Sequence, residues 1–234
     1  MENSIRQEIT GYLMKYPTAW RLFQELSEVG DIYVMGGILR EYNDKHKIER
    51  LRDADFAINI RNKERWLKVL QEIPNKKNRF DGYKFVCSEI IIDVWDVKKT
   101  WAFSTGVIKV EGNNYFKYLP KSVFLNLDAL TYDLSHDIWN DSIYHDAIKK
   151  RELGIVLKEN PYEGLNILRA MILRKRYDMK YSIELSNTII EYLEKGGTIQ
   201  DLFEMQRERY GYSVLSENDI LQEILLCTSL QLYK

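Results

Sequence analysis

The chain has 234 residues, of which 45% are hydrophobic, and it carries a formal net charge of −1. This length supports one large domain or two small ones, and the nearly balanced charge excludes a strong overall attraction to nucleic acid or membranes. No apolar run approaches the roughly 18 residues of a membrane span, and the N-terminus lacks the pattern of a signal peptide. The distant cysteines Cys87 and Cys227 fit buried apolar positions in a reducing compartment. These features predict a cytoplasmic protein without a membrane partner.

The first half of the chain alternates between helical and strand-like patterns. Apolar residues at helical spacing predict a helix over residues 4–29, with a break near Tyr16-Pro17. A strand over Ile32–Met35 stops at Gly36-Gly37, and a helical turn follows. Further along, the predicted elements are a strand over Asp53–Ile60, a helix from the N-cap Asn62 to Pro74, and a hairpin of Gly82–Cys87 and Glu89–Val97. This order of elements predicts a mixed sheet with helices on one face.

The second half is irregular at first and then helical. Its early elements are predicted as a short helix at Thr100–Phe103, strand-like runs at Gly106–Val110 and Ser122–Tyr132, and a helix over His145–Glu152. From Asn160 the apolar spacing is helical to the C-terminus. The predicted fold class is therefore α+β, with a mixed-sheet domain over residues 1–157 and an all-helical domain over residues 158–234.

Three aspartates stand out in the predicted strands. Asp53 and Asp55 lie two residues apart, so their side chains point to the same face of a strand. Two adjacent like charges repel, and a shared divalent cation with hard oxygen ligands is one explanation; a capped turn or a solvated pair is another. Asp93 interrupts the apolar run Glu89–Val97, where a carboxylate is costly unless it is paired or bound to a metal.

The order of these motifs resembles a known family. Gly36-Gly37-Ile38-Leu39-Arg40 is similar to a GGxVR motif, Asp53-Ala54-Asp55 to a DxD motif, and Ile92-Asp93-Val94 to a later acidic strand. Downstream, Asp128–Asp133 resembles NALAYD, and Leu165–Met171 resembles a neck helix of the form LRILRAxRF. Together they resemble the polymerase β-type nucleotidyltransferase superfamily, and in particular the head and neck domains of class II CCA-adding enzymes and bacterial poly(A) polymerases.

The resemblance implies a nucleotidyltransferase head followed by a helical neck, with Mg²⁺ or Mn²⁺ as cofactor. It makes Asp53, Asp55 and Asp93 the metal-binding and catalytic residues. The implied nucleotide-binding residues are Gly36, Gly37, Arg40, Asp128, Glu163 and Arg169. On the residues alone, the glycine pair also fits an ordinary strand-to-helix turn, and the basic stretch from Arg169 to Lys180 also fits a solvated helix face.

The chain departs from the family pattern at positions that bear on its substrate. The double arginine that precedes NALA falls at Ser122-Val123, and the asparagine of NALA is Asp128. Of the base-selecting EDxxR motif, the acid Glu163 is present, whereas its arginine is replaced by Asn166. The base preference of CCA-adding enzymes is therefore not carried over to this chain.

The leading hypothesis is a metal-dependent, template-independent nucleotidyltransferase that releases pyrophosphate. Its donor is a nucleoside triphosphate such as ATP, and its acceptor is a hydroxyl at an RNA or DNA 3′ end or on a growing oligonucleotide. One alternative is nucleotidylation of a protein or small molecule, for which the missing arginines leave room. A second is a degenerate, non-catalytic nucleotide-binding protein. A protein partner is also consistent with such a compact transferase.

Overall fold

The chain folds into two compact units. The computed structural model describes residues 4–49, 53–78, 81–88 and 90–232. The first unit comprises Met1–Ser122 and Leu130–Asp141, and the second comprises Val123–Ala129 and Ser142–Lys234. The segment of residues 123–129 is held in the second unit by backbone hydrogen bonds, from Asn126 N–H to the Gly154 carbonyl and from Val156 N–H to the Phe124 carbonyl. The domain boundary predicted between residues 157 and 158 stays a prediction.

Several helices of the first unit start at residues that favour a helix N-terminus. Ser4 and Gln7 form a capping box, and Pro17 opens the second helix, which confirms the predicted break. The Asn62 side chain accepts a hydrogen bond from Arg65 N–H at 2.9 Å. These helices are α1 (Ile5–Leu13), α2 (Pro17–Val29), α3 (Gly37–Lys45), α4 (Lys63–Glu72), α5 (Trp101–Ser104) and α6 (Tyr115–Tyr118).

A mixed sheet of seven strands forms the centre of this unit. The strands are β1 (Gly30–Met35), β2 (Asp53–Ile60), β3 (Asn75–Lys77), β4 (Tyr83–Cys87), β5 (Ile90–Asp96), β6 (Thr131–Asp133) and β7 (Ile138–Asn140). Their spatial order is β3-β4-β5-β2-β1-β6-β7. Strands β2 and β5 run parallel, and the other neighbouring pairs described in this sheet are antiparallel. The predicted mixed sheet is confirmed.

The two faces of the sheet differ in polarity because side chains alternate along each strand. Val34, Phe56 and Val94 are fully buried and form the apolar face. Helix α2 contacts β1 and β2, and α4 contacts α2, so helices cover the core. The intervening positions include Asp55 and Asp93, which are half-buried. One face of the sheet therefore serves packing, and the other carries the polar side chains.

Two strand-like predictions in the irregular region are wrong. At Gly106–Val110 the backbone forms no strand, and Ile108 N–H bonds the Ala102 carbonyl at 2.8 Å in a turn. Within Ser122–Tyr132 a 3₁₀ turn occupies Asn126–Asp128, and the strand begins only at Thr131. A short apolar run does not separate a buried turn from a strand, and here Leu125 and Leu127 are fully buried without being in a strand.

The second unit is helical apart from a two-residue parallel pair, β8 (Glu152–Leu153) with β9 (Lys180–Tyr181). Its helices are α7 (Ser142–Lys150), α8 (Glu163–Tyr177), α9 (Ile183–Glu194), α10 (Ile199–Tyr210) and α11 (Glu217–Leu232). The predicted helical C-terminal region, and with it the α+β fold class, is confirmed. No helix in the described part of the chain is long and apolar enough to cross a membrane.

A buried ionic cluster ties three elements of the second unit together. Glu223 on α11 is 3% exposed and accepts a bidentate pair of hydrogen bonds from the Arg174 guanidinium on α8. The Tyr181 hydroxyl on β9 donates to the same carboxylate at 2.7 Å. Burial and the adjacent Glu223 raise the pKa of Tyr181, so its hydroxyl stays protonated and acts as a donor.

Candidate active site

The turn between β1 and α3 has a backbone shape that requires glycine. Gly36 has φ 83° and ψ −152°, a region that L side chains rarely adopt. A Cβ atom on Gly36 would lie 3.0 Å from the Asp55 Oδ2 atom, and one on Gly37 would lie 3.6 Å from the Arg40 Nη2 atom. Arg40 is only 7% exposed. Gly36 therefore lets the start of the helix approach the Asp55 carboxylate closely.

The two described aspartates are direct neighbours in the sheet. Asp55 on β2 is in register with Asp93 on β5 across the parallel pair. Adjacent strands are about 4.8 Å apart and register partners project to the same face, so both carboxylates lie on the polar face. The register continues to Met35 on β1 and to Lys84 on β4. We call these four residues, Met35, Asp55, Asp93 and Lys84, the carboxylate row.

Asp93 is held by two residues that sequence reasoning missed. Asn78 donates its Nδ2 hydrogen to Asp93 Oδ1 at 3.2 Å, and the Lys84 Nζ atom lies 3.5 Å from Asp93 Oδ2. Asn78 is itself fixed, because its Oδ1 atom accepts a hydrogen bond from Gly82 N–H at 3.0 Å. The alternation of polar and apolar residues along β4 could have indicated that Lys84 projects to the polar face. The role of Asn78 follows only from the shape of the turn before that strand.

The donor atoms of the carboxylate row suit a hard divalent cation. Carboxylate oxygens are the ligands that Mg²⁺ prefers, usually one or two from the protein, and Asp55 and Asp93 supply two from adjacent strands. Asp53 begins β2 opposite Ile91, and its side chain lies outside the described part of the structure. Among the described side chains, no group of three or more His, Cys, Asp and Glu residues is arranged to hold a metal ion. The two-carboxylate set is thus the part of the predicted trio that the described geometry supports.

Alanine at position 36 is expected to slow the nucleotidyl transfer that the family resemblance implies at least tenfold, and to cost about 1–3 kcal/mol of unfolding free energy. The positive φ strains any L side chain, and the new methyl group would press on the Asp55 carboxylate. Nucleotide incorporation and urea denaturation measure the two effects. Gly11→Ala is the matched control, since a Cβ there meets nothing within 4 Å, and in a helix alanine stabilises by roughly 0.5–1 kcal/mol. Normal activity in Gly36→Ala would contradict the predicted role of this turn in nucleotide binding.

Removing the Asn78 donor is expected to lower kcat by about 10- to 100-fold, the usual cost of losing a group that orients a metal ligand. Asn78→Asp is the informative variant, because it keeps an oxygen for Gly82 N–H and loses the hydrogen that Asp93 accepts. Asn78→Ala loses both contacts. Steady-state kinetics with thermal unfolding test the difference: an Asn78→Asp variant that folds like wild type and keeps its kcat would show that Asn78 only supports the turn.

Three further predicted nucleotide-binding residues lie in the second unit. Asp128 and Arg169 are brought together there in a bidentate pair, with Arg169 Nε 2.6 Å from Asp128 Oδ2 and Nη2 2.8 Å from Oδ1. Glu163 instead lies 3.4 Å from the Lys195 Nζ atom. Arg169 follows Glu163 by six positions on α8, which turns their side chains about 120° apart around the helix. The structure thus joins two of these three residues and places the third on another side of the helix.

Much of the basic stretch on α8 has acidic partners within the second unit. Arg174 pairs with the buried Glu223, and Lys175 pairs with Asp219. The Arg176 guanidinium lies 5.4 Å from the Tyr177 ring centroid. Arg174 and Lys175 therefore form ion pairs within the second unit, which argues against a role for them in contacting an acceptor.

Comparison with solved structures identifies the fold. The chain matches a CCA-adding enzyme in complex with CTP, with a TM-score of 0.59 and 16% identity over 95% of this chain and 55% of that one. It matches the Thermotoga maritima CCA-adding enzyme complexed with tRNA at a TM-score of 0.59 and 16% identity, over 94% of this chain and 54% of that one. A tRNA-processing enzyme in an apo form matches with a TM-score of 0.60 and 13% identity, over 90% and 55% of the two chains.

The match covers nearly all of this chain and about half the length of those solved structures. No protein-family model and no curated protein matches the sequence. At 13–16% identity the comparison shows the fold alone. The chain therefore has the fold of the CCA-adding enzymes, and the resemblance to the polymerase β-type nucleotidyltransferase superfamily is confirmed at that level.

Proposed function

We propose that the chain is a metal-dependent, template-independent nucleotidyltransferase that joins nucleotides to the 3′ hydroxyl of an RNA and releases pyrophosphate. The observation that carries this proposal is the register of Asp55 with Asp93 beside the Gly36 turn, in a chain with the fold of the CCA-adding enzymes. The RNA acceptor is taken from a solved relative bound to tRNA, and the nucleotide donor from relatives bound to CTP and ATP.

The carboxylate row is where a divalent cation would be held, by Asp55, Asp93 and the neighbouring Asp53. Mg²⁺ or Mn²⁺ bound there would offset charge on the triphosphate and promote loss of the proton from the acceptor hydroxyl. Asn78 and Lys84 keep the Asp93 carboxylate in a fixed orientation. Lys84 also offsets part of the negative charge that accumulates when two carboxylates lie side by side.

The Gly36 turn would receive the phosphates of the donor. The backbone N–H groups at the start of α3 point out of the helix without an intrahelical partner, and the helix dipole favours negative charge there. The α3 N-cap has no side-chain hydrogen bond, so its first N–H groups are not satisfied in that way. Arg40, buried against Gly37, adds a fixed positive charge beside the same turn.

Asp128, Arg169 and Glu163 stay proposed nucleotide-binding residues, and Asp128 and Arg169 are the two of them that the structure brings together. The Asp128 carboxylate fixes the Arg169 guanidinium by two hydrogen bonds, which limits the rotamers of a long side chain before any ligand binds. The arginine of the base-selecting motif is replaced by Asn166. We therefore expect this chain not to share the restriction of CCA-adding enzymes to C and A nucleotides.

Incubation of the full chain with each labelled nucleoside triphosphate, Mg²⁺ or Mn²⁺, and a panel of acceptors tests the proposal. The panel contains single-stranded RNA, single-stranded DNA, tRNA lacking its 3′ end, and no added acceptor. Lengthened RNA together with released pyrophosphate is the expected result. Intact-mass analysis of the protein in the same reactions detects nucleotidylation of the chain itself. Transfer to none of the acceptors with any nucleotide would refute the proposed activity.

A further inference from the structure

The segment Lys98–Lys121, which we call the lysine–tyrosine segment, has a charge unlike that of the whole chain. It holds five lysines against one glutamate, and it includes Trp101, Phe103, Tyr115, Phe116 and Tyr118. The chain as a whole has a formal net charge of −1. A local excess of positive charge interleaved with aromatic rings is typical of surfaces that bind single-stranded nucleic acid, since cations contact phosphates and rings stack on bases.

The structure brings the cations and the rings of this segment together. The Lys98 Nζ atom lies 6.0 Å from the Tyr115 ring centroid. Lys117 and Lys121 lie 5.6 and 5.5 Å from the centroid of the Tyr118 ring. The three lysines are exposed and the two tyrosines are half-buried. These five side chains form one basic and aromatic surface around the short helix α6.

The surface is anchored over the polar face of the sheet. The Phe116 ring packs against Tyr33 on β1 with centroids 5.3 Å apart, and the Phe116 carbonyl accepts a hydrogen bond from Asn140 at 2.8 Å. Tyr33 lies two residues before Met35 of the carboxylate row, so it projects to the same face. At its other end the segment leaves β5 shortly after Asp93, and the Trp95 indole lies 3.3 Å from Thr100 Oγ1. A nucleic-acid strand bound along this segment would therefore lie on the face of the sheet that carries Asp55 and Asp93.

The three lysines contact tyrosine rings, whereas several other cations of the protein pair with acidic side chains. Lys99 pairs with Asp81 at 2.6 Å, and Lys175 pairs with Asp219. Among the described residues, Lys98, Lys117 and Lys121 form no ion pair, and each of them lies beside a tyrosine ring. No acidic side chain of the described first unit therefore lies within ion-pair distance of these three lysines.

We infer that the lysine–tyrosine segment binds the 3′-terminal nucleotides of a single-stranded RNA and leads them to the carboxylate row. Lys98, Lys117 and Lys121 contact the phosphates, and Tyr115 and Tyr118 stack with bases. This inference rests on the proposed function for the choice of RNA. Two observations support it independently of the proposed function: the positive charge of the segment complements RNA phosphates, and the segment lies over the polar face of the sheet.

Fluorescence anisotropy with a 5′-labelled 12-nucleotide single-stranded RNA, without any nucleoside triphosphate, tests the inference on the full chain. The variant Lys98→Gln/Lys117→Gln/Lys121→Gln is expected to raise Kd at least tenfold at about 0.1 M salt. Its plot of log Kd against log salt is expected to lose a slope of about 2, the value for three single-strand phosphate contacts. Tyr118→Leu, which keeps an apolar side chain and loses the ring, is expected to weaken binding about tenfold.

The matched control is Lys15→Gln/Lys63→Gln/Lys68→Gln, which removes the same charge from the turn after α1 and from α4. Lys15 also lies against a tyrosine ring, 4.9 Å from the Tyr12 centroid, so the control includes a similar cation–ring contact. We expect its Kd to stay within twofold of wild type. Equal weakening in both triple variants, or wild-type affinity in the first, would overturn the inference. Equal affinity of wild type for single-stranded DNA would overturn the assignment to RNA.

The binding assay and the transfer assay test the RNA-binding surface and the proposed activity separately. RNA binding that depends on the three lysines, without nucleotide transfer, would refute the proposed activity and leave this surface as an RNA site. Transfer to RNA with unchanged activity and affinity in the triple-glutamine variant would support the proposed function and refute the surface.

Discussion

Exchange of Asp93 for asparagine is expected to lower nucleotidyl transfer about a thousandfold, which corresponds to roughly 4 kcal/mol of transition-state stabilisation. Asparagine keeps the size of the side chain and an oxygen that accepts the hydrogen bond from Asn78. It removes the negative charge and one of the hard oxygen donors next to Asp55. Asp55→Asn is expected to have an effect of the same size, because the two residues occupy equivalent positions in adjacent strands.

Three measurements separate this effect from a loss of structure. Thermal unfolding is expected to stay near wild type, nucleotide incorporation to fall, and the heat of Mn²⁺ binding in calorimetry to shrink. Asp96→Asn is the matched control: it lies on the same strand three residues later, so it projects to the opposite face, where it accepts a hydrogen bond from Lys98 N–H that asparagine also accepts. If Asp93→Asn and Asp96→Asn retained similar activity, the carboxylate row would not be the catalytic centre.

Replacement of Glu223 by alanine is expected to destabilise the second unit by about 3–5 kcal/mol, the usual cost of removing one partner of a buried ion pair. The variant leaves the Arg174 guanidinium without its carboxylate, and the Tyr181 hydroxyl loses its acceptor. Because Glu223 is 3% exposed, water does not readily replace the lost contacts. Three elements, α8, β9 and α11, lose their common contact at once.

Urea denaturation followed by circular dichroism measures this loss. Lys175→Gln is the matched control, since it breaks the adjacent but exposed pair with Asp219, where surface ion pairs contribute about 0–1 kcal/mol. A Glu223→Ala variant that is no less stable than Lys175→Gln would mean that the cluster contributes little. A second variant, Tyr181→Phe, removes the hydroxyl alone and is expected to cost about 1–3 kcal/mol by leaving Glu223 with one donor fewer.

The sequence predicted the elements of the candidate site better than their mutual arrangement. Asp55 and Asp93 stand out because a carboxylate in an apolar strand needs a partner, and the Gly36 turn because glycine pairs mark abrupt changes of direction. The register of β2 with β5 is not readable from the chain, since it depends on the lengths of the elements between them. Asn78 had no signal of its own, because an asparagine before a strand is ordinary in turns.

The helical unit shows the same difference. The basic residues of α8 were visible in the sequence, but their partners Asp219 and Glu223 lie more than 40 residues later. Nothing in local spacing links such distant charges. Asp128 and Arg169 were each predicted from the family resemblance, and their direct pairing came only from the structure. The strand-like prediction over Ser122–Tyr132 failed where the buried leucines Leu125 and Leu127 lie in or beside a turn.

The parallel pairing of β2 with β5 is also a seam in the assembly of the first unit. Strand β1 pairs with β2, and β4 pairs with β5, through antiparallel contacts between segments near in sequence, and such local pairs form early. Joining the two halves closes a loop of about 40 residues, which costs roughly 3 kcal/mol in chain entropy beyond a constant term. Asp55 and Asp93 lie side by side across that seam. A partly folded chain, in which β2 and β5 are not yet paired, therefore holds each carboxylate without the other. Only the completed sheet brings them together.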